Sequence, residues 1–214
     1  MREDFHDELA RVNSSLVAMA KAVREAMRQA SVALLTGDYP LAQRVAAQDA
    51  QVDVLYRLVD ERVLQLIARQ QPVADDLRSV LTALQAAADL ERMGDLAVHI
   101  ARAALRRHPS IAVSPELVDL FQAMSTVADQ LAAKIVVALS DRDEVLAAQL
   151  DADDDAMDQL HRRLFQVMLD PEWPLGVEAA VDGALLGRYY ERYADHAVNV
   201  GRHILFLVIG KADS

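Results

Sequence analysis

Apolar residues recur at three- and four-residue spacing along most of the chain, the period of a helix that buries one face. Within 38–70 the stripe is Val45, Val52, Tyr56, Val59, Val63 and Leu66; within 141–169 it is Leu146, Leu150, Met157, Leu164 and Met168. The prolines Pro40, Pro72, Pro109, Pro115, Pro171 and Pro174 all fall between or at the edges of such stretches. Proline is accepted in a helix's first turn and breaks its interior, so these residues mark joints. The pattern predicts six helices, over about 4–35, 38–70, 73–107, 115–140, 141–169 and 177–209. Helices this long with joints this short pack as antiparallel bundles. The expectation is an all-α fold of two tandem three-helix bundles, divided into 1–108 and 109–214.

Composition agrees with a helical core, at 53% hydrophobic residues but only 5% aromatic in 214 residues. The formal net charge of −11 is spread along the chain. Phosphate-backbone binding needs clustered Lys and Arg, so a nucleic-acid partner is disfavoured, as is adsorption to anionic lipid. With no cysteine, disulfides and thiolate metal sites are excluded. The longest apolar run, Ile204–Ile209, is far shorter than the roughly 20 residues of a membrane span. The start Met1-Arg2-Glu3-Asp4-Phe5-His6 lacks the basic and apolar regions of a signal peptide. A cytoplasmic protein without membrane insertion is expected.

The chain also repeats itself. Leu90-Glu-Arg-Met-Gly-Asp-Leu-Ala-Val-His-Ile-Ala-Arg102 returns one hundred positions later as Tyr190-Glu-Arg-Tyr-Ala-Asp-His-Ala-Val-Asn-Val-Gly-Arg202, with six identities. Upstream, Asp49-Ala-Gln-Val-Asp53 corresponds to Asp154-Asp-Ala-Met-Asp158 at an offset of 105. Each half therefore carries one acidic pair on its second helix and one on its third: Asp49/Asp53 with Glu91/Asp95, and Asp154/Asp158 with Glu191/Asp195. Spacing of i, i+4 puts both acids of a pair on one side of a helix. A single such pair is an ordinary solvated face. Four pairs in twofold repetition, at or beside the apolar stripes, are not. Carboxylates gathered beside a core need cations or must protonate. Oxygen-rich ligation suits iron, manganese, magnesium or zinc ions, divalent or trivalent.

The histidines carry less weight. His99 follows Asp95 by four residues but has Asn199 as its repeat counterpart; His161 follows Asp158 by three and is matched by Tyr56; His196 is matched by Leu96. Each reads as a polar residue at a helix surface or site rim, and His203 belongs to no constellation. Small residues at Gly94, Ala97, Ala194 and Gly201 leave room for a backbone or a bulky ligand to approach.

The doubled Glu-Arg-x-Gly/Ala-Asp-x-Ala segments, with Asp-x-x-x-Asp on the preceding helices, resemble the PhoU family of phosphate-uptake regulators. Asp153-Asp-Asp-Ala-Met-Asp-Gln-Leu-His161 and Asp170-Pro-Glu-Trp-Pro174 look like an actinobacterial member. The resemblance covers essentially the whole chain. It implies a cytoplasmic, non-enzymatic negative regulator of the phosphate-starvation response that links a phosphate-specific ABC transporter to a sensor histidine kinase of a two-component system. It also implies metal ions on Asp49, Asp53, Glu91, Asp95, Asp154, Asp158, Glu191 and Asp195. The sequence leaves a homodimer open. The alternative, a ferritin-like carboxylate metalloenzyme, would use Glu-x-x-His on two helices. Gly94 and Ala194 stand at those histidine positions, and only Asp158-x-x-His161 approaches the pattern.

Overall fold

The computed structural model describes residues 2–209, with the side chains of residues 2, 3, 49, 208 and 209 outside that description. The described residues form seven α-helices: α1 (Arg2–Thr36), α2 (Tyr39–Ala47), α3 (Asp49–Gln70), α4 (Ala74–Arg107), α5 (Val118–Asp141), α6 (Glu144–Met168) and α7 (Gly176–Ile209). A 3₁₀ turn at Pro115–Leu117 leads into α5. The all-α architecture is as expected, and the helix boundaries follow from local chemistry. Asp38 accepts from the Leu41 amide at 2.9 Å to cap α2, whose second residue is Pro40. At the joint between α5 and α6, Arg142 takes a left-handed conformation, φ +55°, that closes α5. Asp143 then caps α6 by accepting from Leu146 at 3.0 Å, so α6 begins three residues later than expected.

One prediction needs correction. The stretch 38–70 is not one helix but two, broken at Gln48. Gln48 has ψ −5° and its amide is shared between the Arg44 and Val45 carbonyls at 3.0 and 3.1 Å. Such a shared bond tightens the end of one helix before the next begins. No proline or glycine signals the break. It puts Asp49 at the first position of α3, where the helix dipole favours an acid.

Helices α1, α2–α3 and α4 make one repeat; α5, α6 and α7 make the other. Repeat-related helices pair across the boundary, α1 against α5 and α4 against α7. Those four helices enclose the centre, while α2–α3 packs on α1 and α4 from outside and α6 does the same on α5 and α7. The buried apolar residues of both repeats consequently form one continuous cluster. Helix α5 and its leading turn are long and apolar enough to cross a membrane by length and composition. Here they bury Phe121, Met124, Leu131 and Ile135 within the bundle.

Polar ties cross between the repeats. The Tyr190 hydroxyl meets Ser31 Oγ at 2.7 Å, both fully enclosed. Arg24 of α1 grips Asp129 of α5 with two hydrogen bonds of 2.7 and 2.9 Å. Asp89 of α4 is bracketed by two histidines of α7: its Oδ1 is 2.8 Å from His196 Nδ1 and its Oδ2 3.1 Å from His203 Nε2. These histidines are therefore not the isolated rim residues expected from sequence. They lie seven positions apart on one face of α7, but their partner is over a hundred residues away. Burial alone would raise the Asp89 pKa; the hydrogen bonds and charge of the two histidines outweigh it and hold it at about 2.

The small positions admit helices rather than a ligand. A Cβ on Gly94 would meet Val52 of α3 at 3.2 Å, and one on Gly201 would meet the Ala147 carbonyl oxygen of α6 at 2.9 Å. A backbone atom cannot swing aside as a side-chain tip can. Gly201→Val should therefore cost about 1–3 kcal/mol through overpacking, seen as a lower thermal midpoint; an unchanged midpoint would show that α6 and α7 can separate freely. Asp89→Asn should also destabilise the protein at pH 7. A carboxylate whose folded pKa is depressed contributes stability above about pH 4 that is lost as the pH falls toward 2. The urea midpoints of wild type and Asp89→Asn should accordingly converge over that range, whereas a constant gap would rule out a contribution from the charge.

Candidate metal centres

The eight acids predicted from the repeat stand on facing helices, α3 with α4 and α6 with α7. In the first repeat the Asp49 side chain lies outside the described residues. Asp53 and Glu91 are half-buried, as is Asp95. Arg92, between the two α4 acids, reaches both, at 3.4 Å to Glu91 and 2.9 Å to Asp95. Helices α3 and α4 touch at Val52 and Gly94, the immediate neighbours of Asp53 and Asp95. His99 is not turned to Asp95: it stacks on Tyr189 of α7, ring centroids 5.2 Å apart and planes 15° from parallel.

The second repeat gathers its acids more closely. Asp154 is half-buried on α6, and its carboxyl is pushed up to about 6. Burial is the largest cause, followed by the negative charges of Asp195, Asp158, Glu191 and Asp151. Asp154 thus lies within the field of the other three predicted residues of this centre, together with Asp151, which sequence reasoning did not select. Asp158 and Asp195 are exposed, and the Glu191 side chain keeps only 16% of its surface. Glu191 accepts from Arg188 Nη1 at 2.5 Å. A cleft of about 420 Å³ opens beside the cluster, lined by Asp151, Asp154 and Asp195 from the acidic side and by Arg188, Arg192 and Arg202.

Among the described residues, no three His, Asp or Glu side chains stand within ligating distance of a common point. Helix positions explain the spread. Acids without a counterion repel one another, and Arg92 and Arg188 draw Glu91, Asp95 and Glu191 sideways along their own helices. Carboxylate oxygens are the donor type a hard or borderline cation takes, but in the second repeat, too, the described side chains as they stand do not converge on one point. That repeat offers four carboxylates from two helices, one of them driven toward its protonated form by the charge around it. In the first repeat Asp53, Glu91 and Asp95 occupy the equivalent places.

His161 is the residue the sequence most undervalued. Its Nε2 is buried and has no hydrogen-bond partner among the described residues. The three-residue step from Asp158 was visible in the sequence, but the burial was not, because it depends on α7.

The PhoU domain profile matches residues 16–104 and 121–204, two copies in tandem. The phosphate-specific transport system accessory protein PhoU homolog 2 of Mycobacterium tuberculosis is 42% identical over 210 residues, covering 98% of this chain and 99% of that protein. The accessory protein PhoU homolog 1 of Mycobacterium leprae is 41% identical, covering 98% of this chain and 95% of its own length. The crystal structure of PhoU from Pseudomonas aeruginosa superposes with a TM-score of 0.85 at 29% identity, over 96% of this chain and 99% of that one. The fold is also that of the phosphate transport system regulatory protein PhoU from Streptococcus pneumoniae, TM-score 0.80 at 24% identity. With two domain copies and full-length mycobacterial relatives, the chain belongs to the PhoU family and is of the actinobacterial type.

Proposed function

We propose that this protein is a cytoplasmic, non-enzymatic accessory regulator of phosphate transport. In this reading it represses the phosphate-starvation response by linking a phosphate-specific ABC transporter to a sensor histidine kinase. It carries divalent or trivalent metal ions on Asp49/Asp53 with Glu91/Asp95 and on Asp154/Asp158 with Glu191/Asp195. The observation that supports the metal part is the negative charge around Asp154, whose carboxyl is raised by burial and by Asp195, Asp158, Glu191 and Asp151, although Arg188 pairs with Glu191 and Arg202 with Asp151. Full-length similarity to proteins named phosphate-specific transport system accessory proteins supports the regulatory part.

A bound cation would supply positive charge between facing helices and fix their separation. The chain's own residues do the rest: α6 presents Asp154 and Asp158, α7 presents Glu191 and Asp195, and Arg188 holds Glu191 until a cation competes for it. A ferritin-like carboxylate enzyme is less well supported, since Glu91 and Glu191 are followed three residues later by Gly94 and Ala194 instead of histidine.

Calorimetric titration of chelator-stripped protein at pH 7.5 with zinc or manganese ions should show saturable binding and a rise in thermal midpoint by mass action. The double variant Asp154→Asn/Glu191→Gln should lose binding at one centre; equal uptake by wild type and variant would sink the metal reading. Before metal is added, Asp154→Asn should itself stabilise the fold. A carboxyl whose folded pKa is raised costs stability progressively as pH climbs from about 4 through 6. The gain should therefore be on the order of 1 kcal/mol above pH 6, with allowance for solvent screening, and absent below pH 4. Urea midpoints across that range measure it. For the regulatory role, deleting the gene in phosphate-replete cells should switch on phosphate-starvation transcripts, and the intact chain should restore repression. Transcripts that stay silent in the deletion strain would overturn the assignment.

A further inference from the structure

We propose that the open end of the second repeat docks a helix of a partner protein, one that carries two large apolar residues four positions apart with lysine or arginine beside them. Repeat symmetry locates the surface. The caps Asp38 and Asp143 stand at an offset of 105, and α1 and α5 end at the same offset, at Thr36 and Asp141. Helix α1 nevertheless begins at Arg2 and α5 only at Val118. Residues 2–9, the first two turns of α1, therefore have the non-helical joint after α4 as their counterpart. Those turns bury Phe5 and Leu9, where the joint has Ser110 and Ser114.

The exchange leaves a space. In the first repeat the place bounded by Leu9, Val12, Leu16 and Ala83 is filled down to about 40 Å³. In the second, the place bounded by their counterparts Ser114, Leu117, Phe121 and Gly183 is a cavity of about 220 Å³. An apolar cavity of roughly 150 Å³ admits benzene, so an aromatic side chain fits here. Ser79 and Thr82 of α4 are buried, whereas Ala179 and Asp182, their counterparts on α7, stay half-exposed on the cavity wall. Ile111 and Leu175 line the same wall with exposed apolar side chains. The Ser114 hydroxyl is buried there without a hydrogen-bond partner among the described residues. A helix laying apolar anchors into such a groove would restore what α1 does for the first repeat.

Charge selects the occupant. The segments around the cavity expose Glu116, Asp119, Glu172 and Glu178, against the cations Arg106 and Arg107. Arg107 is already held by Glu178 and Asp182. The rim is therefore net negative and attracts a cationic partner. A second copy of this chain fits it less well, because its own α1 begins with Asp4, Asp7 and Glu8 and would meet like charge. None of the eight paired acids lies on this surface, so it is independent of the cation reading.

The test titrates the full chain with a fluorescent, hydrocarbon-stapled helical peptide that has Phe and Leu four residues apart and lysines beside them. Binding is read by anisotropy, and oligomeric state by sedimentation velocity. Ala179→Trp fills the cavity from α7, and Ser110→Phe fills it with the ring the first repeat has; circular dichroism confirms folding. The lysine peptide should bind saturably to wild type, and roughly ten-fold more weakly to either variant. Replacing the peptide's Phe by Ala, or its lysines by glutamates, should weaken binding by a similar factor. No saturable binding to wild type, or affinities for both variants within about two-fold of wild type, would overturn the proposal. A glutamate peptide that binds as well as the lysine peptide would overturn the cationic partner. A wild-type dimer that Ala179→Trp dissociates would assign the surface to a second copy instead.

Discussion

Negative charge held between closely packed helices is the constraint on which the functional reading turns. Helices α6 and α7 approach closely enough at Gly201 that a single added carbon would strike the Ala147 carbonyl. The same packing brings Asp154 within the field of Asp195, Asp158 and Glu191. Separating the helices would relieve the repulsion but expose the apolar faces on either side of it. The fold keeps the contact and offsets the charge only in part, through Arg188 on Glu191 and Arg202 on Asp151.

The rest of the architecture holds those helices still. Because α1 packs on α5 and α4 on α7, the two repeats share one core and cannot rotate independently without unpacking it. Polar ties reinforce the seam from several sides: Arg24 to Asp129, Tyr190 to Ser31, and Asp89 to His196 and His203. None of the three uses one of the eight paired acids. Duplication supplied the frame, and divergence between the copies supplied the bonds that join them. Tyr190 and Tyr193 replace Leu90 and Met93, and Asp89 has Tyr189 as its counterpart. That tyrosine instead stacks on His99.

The two centres have diverged in the same way. Arg92 sits between both acids of α4 in the first repeat, whereas in the second it is Arg188, a turn earlier, that holds Glu191. The second centre also opens onto a cleft with three arginines.

The sequence by itself determined the helical class, the six-part punctuation, the duplication and the identity of the paired acids. Each of these rests on local spacing: a 3.6-residue period, proline at joints, and a motif repeated at a fixed interval. Local spacing could not reveal the break at Gln48, since no residue there resists helix formation. Nor could it show which histidines matter. His196 and His203 acquire their role from Asp89 on a helix of the other repeat, and His161 acquires its buried nitrogen from the close approach of Gly187. Tertiary structure alone decided these points, because burial and partnership at a helix–helix seam depend on residues far apart in the chain, and the order of side chains along one helix carries no record of what packs against it.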